Sequence, residues 1–229
     1  MSSLFKRVTL DKEYSGIKLI VFDFDGTLAD TRELLLRIIK KHLFTFEIYL
    51  TKDLLRFFGN TPLENYLTLT GLPSDIVRNV SDAIIEDFTK EHHKIKPCKN
   101  LLSVKKIELK KVIVSNNVTS FIKKSLEFLR VKFFDEVYGA DKFNNKISMI
   151  KRLAKKYSLS PSEIVYVGDK DIDADVSRGV GCYGVIISRK SSWSKRRDIL
   201  KKRPDYIISD LGKLSYILDQ IDSKQLSTV

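Results

Sequence analysis

Short, nearly continuous apolar runs punctuate this chain, and stretches with helical spacing separate them. Ile17-Lys18-Leu19-Ile20-Val21-Phe22 leads into Asp23, and further runs follow at residues 111–115, 164–169, 184–187 and 206–208. Each is rich in Val and Ile and apolar at both alternating sets of positions, the pattern of a strand covered on two faces. Residues 119–130, 145–157, 172–179 and 210–221 instead space their apolar side chains along one side of a helix. This repeated alternation predicts an α/β fold, a doubly wound parallel sheet with its ligand at the carboxyl ends of the strands.

One interval breaks the rhythm. Residues 33–43, 53–58, 62–70 and 74–89 all carry helical patterning, with Gly71-Leu72-Pro73 as a stop and Ser74 as the expected N-cap of the last helix. The expected division is therefore core at residues 1–29, an all-helical cap insert at 30–97, and the remaining core at 98–229. Residues 91–100 read as the return hinge. The polar first 16 residues and the last few are expected to be peripheral.

Composition narrows the class. A chain of 229 residues, 43% hydrophobic and 10% aromatic, is long enough for one sizeable core plus an insert. No apolar run approaches the ~18 residues of a membrane span, and Met1-Ser2-Ser3-Leu4-Phe5-Lys6-Arg7 lacks the apolar stretch of a secretory signal. Two cysteines, Cys98 and Cys182, make no disulfide framework, and three histidines leave zinc little to bind. A cytoplasmic protein is expected. The net charge is +12, and eight basic residues lie between Arg189 and Arg203 against Asp198 alone, with Trp193 among them. No nucleic-acid-binding motif accompanies this segment, so it reads as a solvated basic loop and helix that draws anionic substrates toward a nearby site.

Four features fall at expected strand ends or helix starts. Asp23 and Asp25 end the first strand, two residues apart and so on one face, before Gly26 breaks it. Ser115 closes the second strand and precedes Asn116-Asn117. Lys146 follows Asn144-Asn145, a good N-cap pair. Gly168-Asp169-Lys170-Asp171-Ile172-Asp173 puts three alternating carboxylates after another strand. Singly, each has a plainer reading: an Asp-Gly turn, a capping serine, a solvated lysine, an acidic helix start. Together they share one edge of one sheet. Oxygen-rich sets select hard cations, and Mg²⁺ favours one or two carboxylates with water and a phosphate. A lysine and a hydroxyl beside that cation suit a phosphoryl group. The chemistry read from these residues is phosphoryl transfer.

Asp-x-Asp-Gly-Thr, a serine after a strand, a lysine at a helix start and Gly-Asp-x-x-x-Asp, in that order, resemble the haloacid dehalogenase-like hydrolase superfamily. The resemblance runs from about residue 17 to 214 and includes the helical insert. Phosphoglycolate phosphatase-like and pyrophosphatase-like members are most similar, through residues 22–28 and 160–169. The latter stretch also has a helix-start pattern, with Ser160 as N-cap, Pro161 at N1 and Glu163 at N3. The resemblance implies a Rossmann-like core and a Mg²⁺-dependent phosphatase that hydrolyses a small phosphate monoester through an aspartyl-phosphate. It implies Asp23 as nucleophile and Asp25 as general acid, then base. Mg²⁺ would lie among the Asp23 carboxylate, the Asp25 carbonyl and Asp169, with Asp173 behind them anchoring waters or the lysine. Thr27, Ser115, Lys146 and backbone N–H groups after Asp23 would hold the substrate, with Asn116 a neighbour.

The chain departs from the family pattern in three places, the first a lysine-rich stretch at residues 101–110 where the expected helix is short. Ile147-Ser148 follows Lys146 where relatives often have proline, and Asp171 competes with Asp173 for its role. Asp25 favours phosphate esters over carbon–halogen bonds. A phosphomutase or pyrophosphatase of the same fold remains the alternative, and after it a non-catalytic anion- or nucleic-acid-binding module. The expected partner is a small phosphorylated metabolite, with no membrane and no nucleic acid. Its identity lies in the insert, where the loop Phe57-Phe58-Gly59-Asn60-Thr61-Pro62 either reaches the site or is a plain interhelical turn. Arg56 is either a partner for a substrate carboxylate or an exposed helix arginine.

Overall fold

The computed structural model describes residues 14–58 and 61–226, with only the backbone of Arg56 and Leu226. The readings made for residues 1–13 and 227–229, for Gly59-Asn60 and for the Arg56 side chain lie outside the described residues. The chain runs β1 (Leu19–Phe22), β2 (Ala29–Asp30), α1 (Arg32–Phe44), α2 (Leu54–Phe57), α3 (Leu63–Leu69), α4 (Val77–Lys90), β3 (Lys96–Pro97) and β4 (Lys110–Val114). It continues through α5 (Thr119–Phe128), β5 (Glu136–Tyr138), α6 (Lys146–Lys156), β6 (Ile164–Gly168), α7 (Asp171–Val180), β7 (Tyr183–Ile187), α8 (Arg196–Lys201), β8 (Tyr206–Ile208) and α9 (Leu214–Leu226).

Six strands form one parallel sheet in the order β5-β4-β1-β6-β7-β8. Leu19 pairs with Lys110 on one side and Ile164 on the other, so β1 is central. Chain order reverses around β1, and that reversal opens a crevice at the carboxyl ends of β4, β1 and β6. The continuous apolar runs follow from burial on both faces. Leu19, Val21, Val112 and Val114 pack with Met149, Ile150 and Leu153 of α6 and Val176 of α7. Ile20, Phe22 and Ile113 turn the other way, toward Phe121 of α5 and Leu218 of α9.

Between β2 and β3 the chain makes only helices, and these form the inserted cap. The two short strands pair antiparallel, and the Cys98 N–H donates to the Leu28 carbonyl at 2.9 Å, so insert and return share one neck. Leu34, Ile38, Ile39 and Leu43 of α1 and Val77, Val80, Ile84 and Phe88 of α4 bury the apolar stripes read from their spacing. No described helix is long and apolar enough to cross a membrane.

Several local expectations need correction. Ser74 does not cap α4, which starts at Val77 after a turn closed by the Ile76 N–H on the Pro73 carbonyl. Ser160-Pro161 begins a single 3-10 turn, not a longer helix, and the Glu163 carboxylate accepts from the Ser160 N–H at 2.8 Å before the chain enters β6. Strand β5 carries Glu136 and Tyr138 and is too short and polar for its sequence to announce. Asn145 does cap α6, accepting from the Ser148 N–H at 3.1 Å.

Phe121 joins core to cap. Its ring meets Phe24 edge-on at 6.1 Å and stacks on Phe88 of the insert at 4.0 Å. Phe121→Ala is expected to cost about 3–5 kcal/mol in urea unfolding, through lost burial and the cavity left between two elements. A loss below about 1 kcal/mol would show that this contact does not couple them.

Candidate active site

All three strands that border the crevice deliver a polar residue where they end. After Phe22 the chain leaves β1, and the Asp23 N–H makes one last ladder bond, to the Val167 carbonyl at 2.8 Å. Gly26 then takes φ +77, and its N–H closes on the Ala29 carbonyl at 2.8 Å. A Cβ there would lie 2.3 Å from Asp169 Oδ2, so only glycine lets the loop pass this carboxylate. Asp25 is thus placed by a turn rather than by strand alternation, although both aspartates reach the one site.

Asp23 is buried between two lysines. Its Oδ1 accepts from Lys146 Nζ at 3.0 Å and from the Phe24 N–H at 2.9 Å. Lys170 Nζ stands 4.0 Å from Oδ2. Burial opposes ionisation, but the two ammonium groups outweigh it and hold the Asp23 carboxyl below the usual carboxylate range. Asp25 faces other partners. Thr31 Oγ1 donates to it at 2.6 Å, Asn117 Nδ2 at 3.2 Å and Ser115 Oγ at 3.4 Å. Burial, and then the charge of Asp23, push Asp25 up despite these donors.

Asp173, in the first turn of α7, folds back on the strand end. Its Oδ2 accepts from the N–H groups of Asp169 and Lys170, at 3.1 and 2.9 Å, and its Oδ1 accepts from the Tyr166 hydroxyl at 2.8 Å. Tyr166 Oη in turn lies 3.0 Å from Lys146 Nζ. Asp171 does not compete for this place: its carboxylate takes the Ser194 hydroxyl at 2.7 Å. Asp169 accepts from the Trp193 N–H at 2.7 Å, and burial raises its pKa well above the carboxylate range.

These residues fit a divalent cation. Oxygens of Asp23, Asp169 and Asp173 lie within 4.8 Å of one another. Asp23 Oδ2 and Asp169 Oδ1 are buried without a hydrogen-bond partner, whereas both Asp173 oxygens are occupied. Orphaned buried carboxylate oxygens are costly, and a hard cation satisfies them.

The structure gathers Asp23, Asp25, Ser115, Lys146, Asp169 and Asp173 at one edge; Thr27, on the loop after β1, is fully buried with its hydroxyl unpartnered. Asn116 is exposed and only borders the adjoining cavity, while Asn117 holds Asp25. Sequence reasoning passed over Thr31, Asn117, Tyr166 and Lys170. Only Tyr166, a lone hydroxyl in an aliphatic strand, carried a local signal. The basic segment is also more than a solvated loop. Trp193 and Ser194 bond to the acidic cluster, and the Arg189 guanidinium donates to the Gly26 carbonyl. The loop before α3 does reach the site, since Phe58 stacks on Trp193 at 4.8 Å.

Residues 20–187 match the family model for haloacid dehalogenase-like hydrolases. The chain is 26% identical over 227 residues to the inferred pyrophosphatase PpaX of Caldanaerobacter subterraneus subsp. tengcongensis, covering 91% of this chain and 98% of that one. It is 25% identical over 218 residues to the phosphoglycolate phosphatase of Vibrio cholerae, covering 87% and 96%. A haloacid dehalogenase-like family hydrolase from Streptococcus pneumoniae superposes with a TM-score of 0.76 at 21% identity, over 88% of this chain and 99% of that chain. The last likeness is one of fold.

The orphaned oxygens lead to a binding prediction. Mg²⁺ is expected to raise the melting temperature in a thermal-shift assay, since a ligand of the folded state alone stabilises it. Asp169→Asn is expected to remove most of that rise. An undiminished response in the variant would place the cation elsewhere.

Proposed function

Because the chain belongs to the haloacid dehalogenase-like hydrolases, we propose that it is a Mg²⁺-dependent phosphatase acting on a small phosphate monoester through an aspartyl-phosphate. The observation that carries this reading is the contrast between two neighbouring carboxylates. Asp23 is held ionised by Lys146 and Lys170, and Asp25 is pushed toward its protonated form by burial and by Asp23 itself. Groups whose environments drive their titrations apart divide naturally into nucleophile and acid.

Asp23 attacks phosphorus, with Oδ1 pinned by Lys146 and the Phe24 N–H and Oδ2 left without a hydrogen-bond partner. Asp25 gives its proton to the departing oxygen as the ester bond breaks. Asp25, then ionised, takes a proton from the water that opens the aspartyl-phosphate, and inorganic phosphate leaves. Ser115, Thr27 and Lys146 offer donors to the phosphoryl oxygens, and Asn116 meets the rest of the substrate at the cavity rim. Asp23, the Asp25 carbonyl and Asp169 would hold Mg²⁺, with Asp173 fixing the loop and Lys146 behind them. When bound, the cation supplies positive charge to the phosphoryl oxygens as a Lewis acid.

Residues 30–97 form the cap in this reading, and buried free thiols at Cys98 and Cys182 agree with a cytoplasmic location. The names of the two relatives make phosphoglycolate and pyrophosphate the first compounds to assay.

Asp23→Asn is expected to abolish Mg²⁺-dependent phosphate release while the fold is retained. Asp25→Asn is expected to slow turnover by about 10²–10⁴, and more for an alkyl phosphate than for 4-nitrophenyl phosphate, whose leaving group needs little protonation. Equal losses on both esters would remove the acid role from Asp25. Phosphoryl transfer between sugars without free phosphate would identify a mutase.

A further inference from the structure

Beside Asp25, between core and insert, lies a cavity whose walls are mostly dry. Leu35, Phe58, Ile84, Ile85 and Phe88 come from the insert, and Trp193 comes from the loop after β7. Asp25 lies at its core side, which makes this the space for whatever departs from the phosphoryl group.

Three donors on its lining residues have nothing to bond. Tyr66 Oη, Thr61 Oγ1 and Trp193 Nε1 are all buried without a hydrogen-bond partner, and all three residues line the cavity. Tyr66 is 1% exposed, and burial raises its hydroxyl pKa to about 12, so it is a neutral donor. A buried donor without an acceptor costs free energy that an occupant with a neutral acceptor restores.

Cations are scarce here. Lys170 is the one among the described lining residues, and it is engaged toward the phosphoryl end: 4.0 Å from Asp23 Oδ2 and 4.6 Å above the Trp193 ring. A carboxylate or second phosphate in this cavity would lose its hydration against aliphatic and aromatic walls without a counter-charge of its own among the described lining residues. A flat ring would instead lie beside the Phe58–Trp193 stack, whose planes are 23° apart.

We propose that the leaving group is an uncharged, flat, largely apolar alcohol, an aromatic or heteroaromatic ring bearing a neutral hydrogen-bond acceptor. Tyr66, Thr61 and Trp193 meet that acceptor and Phe58 flanks the ring. The proposal rests on the phosphatase reading and decides between substrate classes within it. It disfavours both phosphoglycolate and pyrophosphate, each of which carries a second anion.

Steady-state hydrolysis with Mg²⁺ tests it, using benzyl phosphate, 4-pyridylmethyl phosphate, phosphoglycolate and pyrophosphate at a pH where the pyridine is neutral. The aromatic esters have alkyl leaving groups, so an intrinsically activated phenol does not bias the comparison. Their kcat/KM is expected to exceed that of both compounds with an anionic tail by about tenfold or more, the scale on which pocket complementarity discriminates. Tyr66→Phe, which keeps the ring, is expected to lower kcat/KM for the pyridyl ester about fivefold more than for benzyl phosphate, the loss of one hydrogen bond. Phe58→Ala is expected to raise KM for both aromatic esters. If that variant does not fold, the Tyr66→Phe comparison decides. A preference for phosphoglycolate or pyrophosphate, or equal losses on both ring esters in Tyr66→Phe, overturns the proposal and leaves the phosphatase reading standing. No Mg²⁺-dependent phosphate release from any of the four overturns the phosphatase reading, and this proposal with it.

Discussion

Four carboxylates, those of Asp23, Asp25, Asp169 and Asp173, are buried at one edge of one sheet, and the rest of the site is arranged around keeping them there. Burying like charges together is among the most expensive things a fold can do. Each carboxylate receives a different solution. Asp23 has two ammonium groups, Asp25 has three hydrogen-bond donors and a raised pKa, and Asp173 has two backbone N–H groups and a tyrosine hydroxyl. Asp169 has one N–H donor and an orphaned oxygen, and it is there that a cation is most needed. The backbone conforms to the same demand. A Cβ at Gly168 would lie 2.2 Å from Asp173 Oδ2, so the strand must end in glycine for that side chain to fold back.

The division of labour inside one loop follows from this. Asp23 and Asp25 are chemically identical and two residues apart, yet their surroundings push one pKa down and the other up. Their neighbours arrive on α6, on the start of α7, on the loop after β4 and on the first residues of the insert. A parallel sheet with a reversal of strand order brings these segments to one crevice. The surrounding set drives the two carboxyl groups apart without any change of residue type, the contrast on which the proposed nucleophile and acid roles rest.

Charge outside the site has its own geometry. The segment after β7 carries Arg189 and Trp193 into the site and leaves Lys190, Lys195 and Arg197 around a groove shared with Arg32 and Lys52. Trp193 borders both this cationic groove and the dry cavity beside Asp25. The field of such a groove acts over distance and favours anions. The cavity acts only at contact, through shape and unpaired donors. One tryptophan thus marks the boundary between attraction and selection.

Much of this was legible in the chain because strands buried on both faces must be apolar throughout, and helices packed on one side must be striped. The five principal strands, the helices of the insert and the motif residues Asp23, Asp25, Ser115, Lys146 and Asp169 follow from pattern and type. Strand β5 did not, because edge pairing to β4 supplies what its own three residues lack. Ser74 misled because capping propensity is a local bias that the packing of α4 overrode. Which asparagine holds Asp25, what Lys170 and Trp193 do, and why Asp171 turns away were decided by tertiary structure alone. Those assignments depend on distances of about 3 to 5 Å between residues from 23 to more than a hundred positions apart, which no local pattern encodes. The sequence by itself determined which chemical groups stand at the sheet edge. Only the folded packing determined which of them are pushed toward the ionised form, which toward the protonated form, and what kind of surface lies beside them.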